Sequence, residues 1–179
     1  MKVIKIFSFI IVVLVSIVLV VAAIAPNDYA LKRDIVIIKN KSEVFDYIKY
    51  LKNQENYSTW AKMDPNMKKN YQGADGTTGF ISAWESDNKQ VGKGEQEILK
   101  IVEGERIETE LRFYEPFEAT DSAYILTESV SDSETKVTWG FVGHVSYPMN
   151  ILLLSMDMDK ELGVHLEQGL ENLKKLLEI

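Results

Sequence analysis

The sequence predicts an α+β fold: one apolar N-terminal helix, then a twisted antiparallel sheet wrapped around a long C-terminal helix. Three observations carry this expectation. The stretch Ile6 to Ala25, IFSFIIVVLVSIVLVVAAIA, runs for twenty residues without a charge. Between residues 70 and 145, extended segments succeed one another across turn-forming stretches too short to hold crossover helices. Finally, Leu162, His165, Leu166, Gly169, Leu170, Leu173, Leu176 and Leu177 recur at i, i+3, i+4 and i+7, the spacing of one helix face.

As a helix, the first stretch would be roughly 30 Å long, the thickness of a bilayer's hydrocarbon core. Residues 6–25 are therefore expected to meet the membrane as a single-pass anchor within residues 1–27, leaving residues 28–179 as one domain. A cleaved signal peptide competes with this reading. Lys2 and Lys5 supply a positive flank, and Ala23-Ile24-Ala25 resembles a small-residue cleavage site. Against cleavage, the apolar stretch exceeds the roughly 7–15 residues of a signal core, and Pro26 follows the candidate site directly. A retained anchor is the expectation. Lys2 and Lys5 precede it, with Lys32 and Arg33 after it, which favours a cytoplasmic N-terminus and a domain on the extracytoplasmic side.

Charge and composition exclude several roles. Net charge is −7 for the chain and about −9 once the two leading lysines are set aside. Such a surface repels a phosphate backbone, so no nucleic-acid partner is expected. With no cysteine and only His144 and His165, thiol chemistry and multi-histidine metal centres drop out, and no cofactor is expected. Gly73, Gly76 and Gly79 are followed by a strand rather than by Lys-Ser/Thr and a helix, so they make no phosphate loop. No Gly-x-Ser-x-Gly elbow occurs either.

Element by element, Ile35-Val36-Ile37-Ile38 marks a first strand within Tyr29–Lys39. Asn40-Lys41-Ser42 turns the chain, with Ser42 expected to cap a helix whose inner face is Val44, Phe45, Ile48 and Leu51. A second helix is expected over Gln54–Lys62. Strands are expected at 70–72, 80–85, 94–102, 106–114, 119–129 and 135–145, separated by Asp-Gly, Ser-Asp-Asn, Glu-Gly-Glu, Glu-Pro and Ser-Asp-Ser turns. In the fourth of these, Ile107, Thr109, Leu111 and Phe113 alternate with Glu108, Glu110 and Arg112, giving one apolar and one solvated face. The later apolar run PMNILLLSM is too short to span a bilayer and reads as a buried helical segment.

With that order in hand, the chain resembles the START-like, helix-grip proteins, also called the SRPBCC or polyketide cyclase and lipid-transport superfamily. The resemblance covers about residues 29–179. It rests on the element order, on KSEVFDYI at 41–48, the Trp60 region, Trp84-Glu85-Ser86, TKVTW at 135–139, and LEQGLENLK at 166–174. It implies a hydrophobic small molecule or lipid bound between the sheet and the last helix. Some members of that superfamily are enzymes; others are regulators or chaperone-binding modules.

Aromatic and methionine side chains are the expected lining of such a cavity: Tyr57, Trp60, Phe80, Trp84, Phe113, Phe117, Trp139, Phe141, Met149 and Met156. Each has the competing role of ordinary core packing. His165 on the leucine stripe could hydrogen-bond a ligand or act as a base, though a boundary histidine with a local partner is the commoner case. Gly169, costly in mid-helix, would be explained by close approach of the sheet or by room for ligand. Asp157 and Asp159 read as helix-capping residues rather than metal ligands. No catalytic constellation emerges. The expected function is non-catalytic binding, with a cyclase- or hydrolase-like enzyme using His165, or a protein-interaction module with a filled pocket, as the alternatives.

Overall fold

The computed structural model describes residues 2–179; Met1, the first residue of the expected anchor range, lies outside them. Helix α1 (Lys2–Ile24) is followed by strand β1 (Asp28–Ile37), helix α2 (Lys41–Ile48) and a 3-10 turn at Leu51–Asn53. Two short helices come next, α3 (Gln54–Tyr57) and α4 (Thr59–Met63). Strands β2 (Lys68–Gln72), β3 (Ile81–Glu85), β4 (Lys93–Val102), β5 (Arg106–Glu115), β6 (Ala119–Ser131) and β7 (Glu134–His144) then form a meander. A 3-10 segment at Met149–Leu154 leads into helix α5 (Met158–Leu177).

All seven strands join one antiparallel sheet in the order β1-β7-β6-β5-β4-β3-β2. The first strand therefore lies beside the last, from Asp28 opposite His144 to Ile37 opposite Thr135. Consecutive strands pair because their connections are short, whereas β1 reaches β7 only through folding of the whole chain. The sheet curls around α5, whose Gly163, Leu166, Gly169, Leu170 and Leu173 are buried against it. Val44, Phe45, Ile48 and Leu51 close the core from the α2 end as their spacing predicts. This is the expected α+β helix-grip arrangement, with an apolar helix in front.

Three expectations are corrected in detail. Asn40, not Ser42, caps α2: its backbone is extended and its side chain accepts the Glu43 N–H at 2.9 Å, while Ser42 already lies in the first turn and its hydroxyl donates to Asn40 Oδ1. The single helix expected over 54–62 is broken at Ser58, whose extended backbone (ψ 132°) ends α3 and starts α4. The run at 148–156 is not buried. Only Asn150 is enclosed, and Met149, Leu152, Leu154 and Met156 are exposed.

That exposure goes with its neighbour. The 3-10 segment packs on the last turn of α1, burying Ala22. Asn150 Nδ2 donates to Ala22 O at 2.8 Å, Ala25 O at 3.2 Å and Asn27 Oδ1 at 3.0 Å. The carbonyls at a helix C-terminus have no partner within the helix, and this amide supplies one. Residues 3–20 of α1 are exposed, and Val3–Ile24 is long and apolar enough to cross a membrane.

Candidate ligand-binding site

The interior of the grip is built around Trp139 on β7. Tyr57 meets its ring edge-on with centroids 5.7 Å apart, and Trp60 does so at 6.3 Å from the other short helix. His165 on α5 lies 5.2 Å from the Trp60 ring, and its Nδ1 is 3.3 Å from Thr59 Oγ1. Five of the predicted residues thus converge: Tyr57, Trp60, Trp139, His165 and Gly169. A Cβ placed on Gly169 would sit 2.8 Å from Trp139 Cζ3. Of the two reasons expected for that glycine, close approach of the sheet is the one the geometry provides.

The void between sheet and helices, lined in part by Ile48, Leu51, Gln96, Thr109 and Trp139, amounts to about 10 Å³, space for roughly one water. This void is bordered by the sheet and by the segment from α2 to α3 rather than by α5. Burial pushes the Tyr57 hydroxyl far above its ordinary range, and among the described residues it has no hydrogen-bond partner.

A larger cavity, about 380 Å³, lies outside this core at the foot of α1. Pro26, Tyr29 and Leu31 form one wall; Leu153, Met156 and Met158 form the other. Asp28, Asp157 and Asp159 rim it, and each carboxylate is engaged: Asp28 with His144 at 2.6 Å, Asp157 with Lys160 at 2.8 Å, and Asp159 with both terminal nitrogens of Arg33 at 2.8 Å. The Arg33 hydrogen bonds hold the Asp159 carboxyl below its ordinary value. Behind the wall, Tyr29 stacks on Phe141 at 6.1 Å. Its hydroxyl is pushed well up by burial and then by the nearby Asp121. Asp121 is itself raised by burial, against the opposing pull of the His144 N–H it accepts at 3.0 Å.

The remaining predicted residues are scattered. Phe80 is buried but stacks on Tyr71, under the Lys52 ammonium. Trp84 and Phe113 meet edge-on at 5.9 Å, with the indole N–H donating to Val91 O. Phe117 and Met149 point outward and line neither cavity, since hairpin and loop positions carry them beyond the sheet. Met156 alone of the predicted set borders the larger groove. Sequence reasoning passed over Tyr29, Leu31, Leu153, Met158 and Asn150. A signal existed for Asn150, the lone amide in the apolar run at 148–154.

His165 pairs with a hydroxyl, and no carboxylate is hydrogen-bonded to it among the described residues. Nor does any group of three His, Asp or Glu among those residues come together to hold a metal.

No family profile and no curated protein matches the chain in sequence. Solved structures match it in shape. A protein from Nitrosospira multiformis superposes with a TM-score of 0.57 at 16% identity, over 83% of this chain and 96% of that one. One from Chromobacterium violaceum gives 0.56 at 15%, over 86% and 99%. A protein of the dynemicin biosynthetic locus gives 0.57 at 11%, over 83% of this chain but 47% of its own. The shared feature is the helix-grip fold. At such identities the helix-grip likeness speaks for architecture alone.

Proposed function

We propose that the protein is a membrane-tethered, non-catalytic binding protein of the START-like superfamily, with residues 1–27 as its anchor and residues 28–179 as its domain. Its ligand is a hydrophobic small molecule or lipid. The observation that carries this reading is the groove of about 380 Å³ walled by Leu31, Leu153, Met156 and Met158 at the point where the apolar helix leaves the domain. A lipophilic ligand partitions into the bilayer, so a groove tethered at its surface meets that ligand at high effective concentration. Retention of α1 is supported by the Asn150 hydrogen bonds to Ala22 O and Ala25 O, which cleavage after Ala25 would take from the fold.

The full chain, extracted in mild detergent and weighed by native mass spectrometry, should carry a stoichiometric apolar compound. Leu153→Trp, which fills the groove from a half-buried position, should lose it without loss of helical and sheet signal. A ligand retained by that variant would place the site elsewhere. A bare protein mass after incubation with membrane lipid extract would sink ligand binding. The small inner void beside Trp139, about 10 Å³, favours one second reading, an interaction module whose outer surface meets a protein partner, and the bare mass is its expected result.

A further inference from the structure

The exposed apolar residues outside α1 are not spread evenly. Tyr147, Met149, Leu152, Leu154 and Met156 are 51%, 55%, 42%, 57% and 46% exposed, all within one ten-residue stretch. Phe117, 79% exposed, caps the β5–β6 hairpin. Register places that hairpin at the same end of the sheet, because Phe113 pairs with Ala119 and Ser122 with Val142, two residues from the end of β7. That is also the end at which β1 begins and α1 arrives. Soluble surfaces seldom gather apolar side chains in this way without something to cover them.

The position of α1 says what covers them. Val3–Ile24 comprises 22 residues, or roughly 33 Å of helix against a hydrocarbon core of about 30 Å. Its last turn must then lie at the boundary between hydrocarbon and headgroups. Asn150 is bonded to the carbonyls of that turn, and the 3-10 segment packs on it. Whatever depth Ala22–Ala25 occupies, Met149–Leu154 occupies beside it.

We infer that the loop Tyr147–Met156, together with the Phe117 hairpin, is a second membrane contact, inserted into the interfacial layer next to the span and seating the domain on the bilayer. Ile151 and Leu153 turn inward while Met149, Leu152 and Leu154 turn out. The same loop thus presents one row of side chains to lipid and, through Leu153, another to the groove. Seated this way, the groove opens at the headgroup boundary, so an acyl chain or other apolar ligand reaches it without crossing water. Tyr147 is of the residue type enriched at that depth. The surface charge of about −9 repels anionic headgroups, so the attachment is apolar and insensitive to salt. This inference rests on α1 being a retained span.

The chain has no cysteine, so single thiols can be introduced into the full-length protein in phosphatidylcholine vesicles. Leu152→Cys, Leu154→Cys and Phe117→Cys would carry an environment-sensitive fluorophore, with Val130→Cys, exposed at the opposite end of the sheet, as control. A lipid-borne quencher should reduce emission at the first three roughly threefold more than at the control, as for groups about 5–10 Å inside the headgroup boundary. The difference should be unchanged on raising salt from about 50 mM to 1 M. Equal quenching at all four sites, in a chain that resists alkaline extraction, would overturn the docking while leaving the span intact. Shielding from aqueous iodide without lipid quenching would overturn it in favour of a protein cover, such as a second copy. A chain released by alkaline extraction would defeat the span and the docking together.

Discussion

Where α5 crosses β7, the approach is set by one missing methyl group. Gly169 costs the helix up to about 1 kcal/mol against alanine in an exposed position. Here Trp139 takes the space a side chain would need. Gly169→Ala should therefore destabilise by about 1–3 kcal/mol, the cost of overpacking outweighing the propensity gain, as read from chemical denaturation. Asp121 makes a second case. Its carboxyl is buried and raised, so between its ordinary value of 3.8 and its folded value the native state holds more protons than the unfolded chain. Stability then falls as pH rises through that window, and the penalty persists at neutral pH. Asp121→Asn keeps an acceptor for the His144 N–H and should be the more stable protein near pH 7, with the advantage gone below about pH 4. Asp159 has the opposite sign. Lowered by Arg33, it contributes stability that is lost as pH falls through its folded value.

Elements follow from local chemistry to different degrees. The meander was legible to within a residue or two, because each turn carries Gly, Pro, Asn or Asp and each strand alternates or runs β-branched. Val44, Phe45 and Ile48 named the inner face of α2 correctly, but its start was misplaced by two residues. Asn and Ser are both good caps, and only the extended backbone at Asn40 decides between them. Asn40→Ala should cost about 1 kcal/mol of domain stability, measurable as a lowered melting temperature, whereas Ser42→Ala should cost less. On the solvated sheet face, Arg112 is bonded to Glu95 and Glu97 on β4 and to Glu110 on its own strand. The alternation of charged residues along β5 foresaw that face; the cross-strand partners came from register.

At the scale of the whole molecule, the joint between α1 and the sheet is the feature with most consequence. A buried amide with three acceptors ties the apolar helix to the loop before α5. Asn150→Ala leaves the Ala22 and Ala25 carbonyls without that donor, a loss of about 1–3 kcal/mol where groups are buried. The expected outcome is faster cleavage at residues 25–28 by an added protease in detergent, by roughly tenfold per 1.4 kcal/mol when opening is rapid. An unchanged rate would mean that the helix is held by packing alone. The run at 148–156 shows the limit of composition: apolar character signals a tendency to leave water but not which way a side chain points, and Met149, Leu152, Leu154 and Met156 are exposed.

By itself the sequence determined the class of fold, the order of elements, the apolar helix and the faces of α2, β5 and α5. Those properties depend on periods of 2 and 3.6 residues and on turn chemistry, which are local. Tertiary structure alone decided that Tyr57 and Trp60 pack edge-on against Trp139, and that a groove lies at the foot of α1. It also decided that Met149 and Leu154 face outward while Asn150 faces in. Such outcomes depend on how side chains distant in sequence share a volume, and one aromatic residue looks the same in a list whether its neighbour is another ring or a void.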